Sequence, residues 1–95
     1  MDDMLDQLEA IIRDRRCNPA AGSYTSRLFD EGRAKISQKV GEEAVEVVIA
    51  ALGQSQDNQL DELADLFYHT LVLMVELDLS LDDVRQRLRE RHQAR

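Results

Sequence analysis

Carboxylates recur at spacings of three and four residues in two stretches of this chain. Glu42, Glu43 and Glu46 stand in the first stretch, and Glu62 and Asp65 stand in the second. Residues three or four apart share one face of an α-helix, because each residue advances the helix by about 100°. The spacing therefore predicts two helices, each with an acidic stripe along one face.

Apolar residues border both acidic stripes. The bordering residues are Ile36, Val40, Ala44, Val45, Val47, Val48, Ile49 and Ala51 in the first helix, and Leu60, Leu63, Ala64, Leu66, Phe67, Leu71, Leu73, Met74 and Leu77 in the second. A solvated acidic face does not usually have apolar residues on both sides. We therefore expect the two stripes to face each other across a cation. The alternative is that these are ordinary surface carboxylates of amphipathic helices.

A cluster of facing carboxylates favours a bound cation. Two carboxylates about 5 Å apart repel by roughly 3 kcal/mol at an effective dielectric constant near 20. Such a cluster raises the pKa values of its members or binds metal ions. Carboxylate oxygens without a second His or Cys nearby suit Mg²⁺, with Mn²⁺ as a possible substitute. The chain lacks both the loop of an EF-hand and the Glu-x-x-His motif of di-iron bundles.

Length and composition predict a single helical domain over residues 1–95. No strand pattern with turn signals stands out. Helices that are apolar almost all round predict self-association, which buries the surplus apolar surface. We therefore expect an all-α fold, an antiparallel helical bundle of four to five helices that is completed by formation of a homodimer.

The net charge of −7 argues against nucleic-acid partners and against anionic membranes. It leaves open a nucleotide that is held through metal ions. The acidic N-terminus lacks the apolar segment of a signal peptide, and no apolar run reaches the roughly 20 residues of a membrane span. A cytoplasmic protein is expected. Cys17 is the only cysteine, so no intrachain disulfide can form, and we expect its thiol to be partly buried at a helix end.

Turn and capping signals divide the chain into helices and short connections. The predicted elements are a helix from Asp2 to about Arg16, a polar loop over 18–26, a short helical turn over 27–32, the first acidic helix from Arg33 to about Leu52, a polar turn over 54–58, the second acidic helix from Gln59 to about Asp78, and a last helix that follows a Ser80 cap and ends near His92. The short turn at 54–58 predicts that the two acidic helices are antiparallel neighbours.

The acidic motifs resemble those of a known enzyme superfamily. Glu42-Glu43-x-x-Glu46 with Glu62-x-x-Asp65 resembles the signature of the MazG-like all-α nucleoside triphosphate pyrophosphohydrolases. Within that superfamily, four segments resemble the phosphoribosyl-ATP pyrophosphatase family, and the resemblance covers about residues 2–92. The segments are Ser23-Tyr-Thr-Ser-Arg-Leu28, Gln38-Lys-Val-Gly-Glu-Glu-Ala-Val-Glu46, Ala64-Asp-Leu-Phe-Tyr-His69 and Leu79-Ser-Leu-Asp-Asp-Val84.

The resemblance implies hydrolysis of phosphoribosyl-ATP to phosphoribosyl-AMP and pyrophosphate, the second step of histidine biosynthesis, with Mg²⁺. It implies that Glu43, Glu46, Glu62 and Asp65 are the metal ligands, and that the protein is a dimer whose subunits share the walls of each active site. A carboxylate that is not fully committed to metal could take the proton of the attacking water. Glu42 and Glu46 are the candidates for this general base.

Substrate contacts are expected from the hydroxyl groups of the polar loop and from nearby cations. The candidates are Ser23, Tyr24, Thr25, Arg27, Arg33, Lys35 and Lys39. For the hydroxyl residues the alternative is a connector whose Ser or Thr caps the next helix. For the cations it is a surface charge or, at Lys39, an ion pair with a glutamate. We expect a supporting or packing role for His69 in preference to metal ligation.

Two other functions fit parts of the pattern. A house-cleaning pyrophosphohydrolase that acts on ordinary or modified nucleotides would share the metal site and differ at 18–26, so a panel of substrates separates the two enzymes. A non-catalytic helical oligomerisation domain would show no effect of divalent metal on its stability, so melting curves with and without Mg²⁺ test that alternative.

Overall fold

Side-chain caps begin four of the five α-helices in the computed structural model, which describes residues 3–93. The helices are α1 (Met4–Cys17), α2 (Tyr24–Glu31), α3 (Arg33–Gly53), α4 (Gln56–Glu76) and α5 (Leu81–His92). The capping side chains of α1, α2, α4 and α5 are Asp3, Ser23, Ser55 and Ser80, and each accepts a hydrogen bond from a backbone N–H of the first turn. No strand occurs within the described residues, which confirms the all-α class.

Two predicted boundaries were wrong because the capping residue lies earlier than expected. Ser23 caps α2, so the loop predicted over 18–26 ends there and the helix already begins at Tyr24. Ser55 caps α4, which therefore begins at Gln56, three residues before the predicted start. The other boundaries agree to within two residues; the predicted start of α1 at Asp2 lies outside the described residues.

A single glycine joins α2 to α3. Gly32 has φ +99°, a backbone conformation that residues with a Cβ atom rarely adopt. Because this residue both ends α2 and begins α3, the chain reverses without a loop. The first turn of α2 is thereby kept close to the α3–α4 pair.

Helices α3 and α4 are antiparallel neighbours, as predicted. At one end, the Nε2 amide of Gln59 donates to the carbonyl oxygen of Ala50 over 3.2 Å. At the other end, Nε of Arg33 lies 3.3 Å from Oε2 of Glu76. This pairing turns the acidic stripe of each helix toward its neighbour, which is the arrangement that the candidate site requires.

The core is built around the second half of α4. Its buried residues come from four helices and are Ile12 of α1, Leu28 of α2, Ile36 of α3, and Leu71, Val72 and Val75 of α4. Helix α4 therefore packs against α1 as well as α3, while α2 contacts both α1 and α3. Cys17 is exposed at the end of α1, so the expectation of a partly buried thiol was wrong.

Helix α5 is attached mainly by polar contacts. The guanidinium of Arg85 donates to Asp6 over 2.9 Å and to Asp82 over 2.8 Å. The backbone N–H of Leu81 donates to Oε2 of Glu9 over 2.8 Å. Asp6 and Glu9 belong to α1, so these two contacts, together with Leu81 that packs against the core, hold the beginning of α5. No described residue of α5 is fully buried, and its last turns are exposed.

Large apolar side chains remain exposed on both acidic helices. They are Val45, Val48, Ile49 and Leu52 on α3, and Leu60, Leu63 and Phe67 on α4. The radius of gyration is 14.7 Å, whereas a compact chain of 95 residues has about 12.4 Å. The protomer therefore leaves part of its apolar surface uncovered. None of the helices within residues 3–93 is long and apolar enough to cross a membrane.

Candidate active site

Three of the predicted carboxylates converge between α3 and α4. Ligand oxygens of Glu43, Glu62 and Asp65 all lie within 4.8 Å of one another. Glu62 and Asp65 are one turn apart on α4, and Glu43 reaches them from α3 because the two helices are packed antiparallel. Glu43 and Glu62 are half-buried, while Asp65 is exposed. We call these three residues the carboxylate triad.

The electrostatics of the triad favour a cation. Burial raises the pKa of Glu62, and the negative charges of Asp65, Glu46 and Glu43 raise it further. The protein thus places a carboxylate where its negative charge is disfavoured unless a positive charge joins it. Three hard oxygen donors suit a hard divalent cation such as Mg²⁺, and the triad contains no His or Cys to favour a softer metal.

Glu46 and Glu42 lie outside the triad for different reasons. Glu46 is exposed one turn after Glu43, and it is close enough to contribute to the raised pKa of Glu62. Glu42 points to a neighbouring position, where it accepts a hydrogen bond from Nε2 of Gln38 over 3.1 Å. This hydrogen bond and the charge of Lys39 lower the pKa of Glu42. The five predicted acidic residues therefore form a triad and two neighbours.

Lys39 lies between Glu42, which is outside the triad, and Glu43, which is part of it. Its Nζ atom lies 3.5 Å from Oε1 of Glu42 and 3.8 Å from Oε1 of Glu43. The pKa of Lys39 is raised, first by the phenol group of Tyr24 in its ionised form and then by Glu42 and Glu43, against the effect of burial. The ammonium group thus contacts glutamates, as one of the two sequence hypotheses predicted, and one of them, Glu43, is a member of the triad.

The hydroxyl groups predicted to meet the substrate make hydrogen bonds within the protein. Ser23 caps α2 by accepting from the N–H of Ser26 over 3.1 Å. The Tyr24 hydroxyl lies 3.0 Å from Nε2 of His69, and the Thr25 hydroxyl is hydrogen-bonded to the hydroxyl of Tyr68. These contacts attach the first turn of α2 to α4, directly beside the triad.

The three remaining candidate cations have different neighbours. Arg27 lies on α2 with its guanidinium 5.3 Å from the centroid of the Tyr24 ring and 4.0 Å from Glu31. Arg33 pairs with Glu76, which is eleven residues and therefore about 16 Å along α4 from Asp65. Lys35 is exposed near the start of α3. Only Arg27 belongs to the turn that contacts His69.

Sequence reasoning assigned no role to Gln38 and Tyr68. Gln38 lies four residues before Glu42 and orients it, and Tyr68 lies three residues after Asp65 and holds Thr25. The same helical spacing that revealed the acidic stripes places both residues beside them. Polar side chains one turn from an acidic stripe were therefore the available signal.

Comparison with known proteins shows the family to which the chain belongs. The family model described as phosphoribosyl-ATP pyrophosphohydrolase matches residues 5–92, nearly the whole chain. The chain belongs to the phosphoribosyl-ATP pyrophosphohydrolase family. This match confirms the resemblance inferred from the motifs, and it includes every residue of the triad and of α2.

Individual relatives agree with the family match. The chain is 46% identical over 90 residues to a phosphoribosyl-ATP pyrophosphatase of Clostridium botulinum (strain Hall), covering 95% of this chain and 82% of the relative. It is 46% identical over 91 residues to the phosphoribosyl-ATP pyrophosphatase of Metallosphaera sedula, covering 96% and 98%. Both relatives therefore match nearly the whole of this chain.

Other relatives carry this domain in a longer protein. The histidine biosynthesis bifunctional protein HisIE of Oceanobacillus iheyensis is 45% identical over 89 residues, which cover 94% of this chain and 41% of the relative. The phosphoribosyl-ATP pyrophosphohydrolase domain thus corresponds to less than half of that bifunctional protein.

Proposed function

We propose that this chain hydrolyses phosphoribosyl-ATP to phosphoribosyl-AMP and pyrophosphate, the second step of histidine biosynthesis, and that the triad is its catalytic centre. The observation that carries the proposal is the convergence of Glu43, Glu62 and Asp65 from two helices. The family match supplies the substrate, and the triad supplies a place for the cation that cleavage of a phosphoanhydride needs.

The triad is proposed to hold Mg²⁺, for which Mn²⁺ can substitute, with Glu46 as a fourth carboxylate that is not fully committed to the metal and stays free to accept a proton. When bound, the metal supplies positive charge against the phosphate oxygens and acidifies an attacking water. Glu62 contributes through its position, because a carboxylate whose charge is disfavoured by burial gains most from a cation.

The general base is proposed to be Glu46. Its carboxylate is exposed beside the triad, whereas Glu42 is engaged by Gln38 and Lys39, which lower its pKa and its basicity. Glu46→Gln should lower kcat at saturating Mg²⁺ and phosphoribosyl-ATP. Glu42→Gln should keep most of the wild-type kcat; a larger fall in Glu42→Gln than in Glu46→Gln would reverse the assignment.

Phosphate oxygens of the substrate are proposed to meet Arg27 and Lys39. A charge-assisted hydrogen bond is worth roughly 1.5–3 kcal/mol, so Arg27→Ala should lower kcat/KM by about ten- to a hundredfold. The same assay on Arg33→Ala and Lys35→Ala tests the other two candidate cations. For Arg33, which pairs with Glu76 about 16 Å along α4 from Asp65, the geometry predicts a smaller effect. An unchanged kcat/KM in Arg27→Ala would show that Arg27 is an ordinary surface charge that does not contact the substrate.

A direct assay tests the substrate. The purified protein, incubated with phosphoribosyl-ATP and Mg²⁺, should release pyrophosphate and phosphoribosyl-AMP in equal amounts. ATP and other nucleoside triphosphates, tested in parallel, should be much poorer substrates. Preference for an ordinary or modified nucleoside triphosphate would instead support the house-cleaning enzyme.

The active form is proposed to be a homodimer. Exposed apolar residues follow one face of α3 and one face of α4, and the radius of gyration of the protomer is larger than that of a compact chain of the same length. A second copy would cover these faces and complete the bundle, with each site walled partly by the other subunit. Sedimentation at micromolar concentration should give twice the 10.9 kDa of one chain; a fully active monomer would exclude the dimer.

A further inference from the structure

His69 is a polar side chain that α4 buries one turn beyond the triad. Only 6% of its surface is exposed. Its Nδ1 atom lies 2.8 Å from the backbone carbonyl oxygen of Asp65. A carbonyl oxygen only accepts, so Nδ1 carries a proton, and in the neutral ring Nε2 is then an acceptor. One tautomer is thereby selected by a backbone group of a triad residue.

The acceptor of this tautomer faces the first turn of α2. The Tyr24 hydroxyl, 3.0 Å from Nε2 of His69, therefore donates to it. The Tyr24 ring also stacks on Tyr68 with a centroid distance of 6.2 Å and meets the His69 ring edge-on at 5.8 Å. Both the hydroxyl and the ring of Tyr24 are consequently held by α4.

The Tyr24 ring also carries a cation over its face. The Arg27 guanidinium lies 5.3 Å from the centroid of the Tyr24 ring, within the range of a cation–π contact. Its ion pair with Glu31 is long, at 4.0 Å, and exposed, whereas the Tyr24 ring is held by His69 and Tyr68 of α4, so the ring is the more firmly held of the two neighbours of Arg27. The contacts run in sequence from the Asp65 backbone through His69 and Tyr24 to Arg27.

We propose that His69 and Tyr24 are positioning residues for substrate binding: His69 fixes the Tyr24 ring, and the ring fixes the Arg27 guanidinium. The inference rests on the proposed phosphate contact of Arg27. It assigns the Tyr24 hydroxyl to the protein and not to the substrate. It also explains why a histidine beside a metal site is buried and hydrogen-bonded through both nitrogens.

Variants that cut the link at a single hydrogen bond test the proposal. Tyr24→Phe keeps the ring under Arg27 and removes only the donated proton. His69→Asn keeps an amide near the Nδ1 position but is too short to reach Tyr24, whereas the Oε1 atom of His69→Gln reaches the Nε2 position and restores an acceptor. Tyr24→Phe and His69→Asn should each raise KM for phosphoribosyl-ATP about fivefold, which corresponds to about 1 kcal/mol.

The same variants separate positioning from general loss of structure. We expect kcat and the half-saturating Mg²⁺ concentration to stay at wild-type values, and His69→Gln to restore most of the KM. Combining Tyr24→Phe with His69→Asn should give no further increase, because both remove one link. Nitrogen-15 NMR of the imidazole should show the Nδ1-protonated neutral ring in the wild type.

Several outcomes would overturn the inference. They are additive effects in the double variant, a fall in kcat or in Mg²⁺ affinity in place of the KM change, and an Nε2-protonated ring. Arg27→Ala, measured in parallel, distinguishes the two proposals. If Arg27→Ala raises KM and Tyr24→Phe does not, the positioning role is wrong and the phosphate contact of Arg27 stands. If Arg27→Ala leaves KM unchanged, both the phosphate contact and the positioning role are wrong.

Discussion

Metal binding at the triad should appear as a change in stability that depends on Glu62. In the metal-free protein the pKa of Glu62 lies above its ordinary value of 4.5, because of burial and then the charges of Asp65 and Glu46. A raised carboxyl pKa means that the folded state binds the proton more readily than the unfolded state. Stability from this group is therefore fully present below pH 4.5 and is lost as the pH rises through the raised pKa.

The size of the metal effect follows from binding linkage. Mg²⁺ at 100 times its dissociation constant stabilises the folded state by about 2.7 kcal/mol, and a domain of 60–100 residues gains roughly 4–8 °C in Tm per kcal/mol. We therefore expect a rise of about 10–20 °C in the wild type. If Glu62→Gln weakens metal binding a hundredfold, the same Mg²⁺ concentration yields only about 0.4 kcal/mol, or roughly 2–3 °C.

Thermal melts with and without Mg²⁺, at neutral pH and below pH 4.5, measure these effects. Metal-free Glu62→Gln should melt at or above the wild-type Tm at neutral pH, and the difference should vanish in acid. Asp61→Asn is the matched control, since it removes one charge from the adjacent, exposed position of α4 and should keep the full Mg²⁺ shift. Equal Mg²⁺ shifts in wild type and Glu62→Gln, or a shift lost in Asp61→Asn, would refute the assignment of Glu62 to the metal site.

Three further predictions concern the scaffold. Gly41→Ala should raise the free energy of unfolding by about 0.5–1 kcal/mol in urea titrations, because a Cβ atom there meets nothing in the protomer; a loss of stability would show that a partner chain packs on this glycine. Leu52→Asp places a charge on a side chain that is 84% exposed, so it should leave the protomer folded and shift sedimentation toward monomer, with activity that depends on protein concentration; an unchanged dimer would place Leu52 outside the interface. Arg85→Ala removes the contacts with Asp6 and Asp82 and should speed amide exchange in α5 while kcat stays constant; unchanged exchange would show that other contacts hold the helix.

Local structure was largely readable from the sequence. Apolar periodicity, the Ser80 cap and the glycine at 32 act within one or two helical turns, so they predicted helix type and most boundaries. The two wrong starts lie next to several polar residues that can cap a helix. Ser23, Thr25 and Ser26 are all good capping residues, so the local sequence leaves the first residue of α2 open. In the structure Ser23 is the cap, and Tyr24 and Thr25 contact α4.

The spacing of the acids predicted which helix faces would meet, and motif resemblance predicted the family. The resemblance also implied Glu43, Glu46, Glu62 and Asp65 as metal ligands, and the structure brings three of these four together, without Glu46. Glu42 and Glu43 are adjacent, yet they point about 100° apart around α3, and only the rotation of α3 against α4 brings Glu43 into the triad and leaves Glu42 beside Gln38.

By itself, then, the sequence determined the helices, their acidic stripes and the enzyme family, because these depend on residues close together in the chain. The tertiary structure decided that Glu46 lies outside the triad and which apolar faces are exposed. It also decided the bond between Tyr24 and His69, which joins residues 45 positions apart. Such contacts depend on how far one helix is rotated and shifted against another. That rotation is set by the packing of the whole core, so it cannot be predicted from the spacing of residues within one helix.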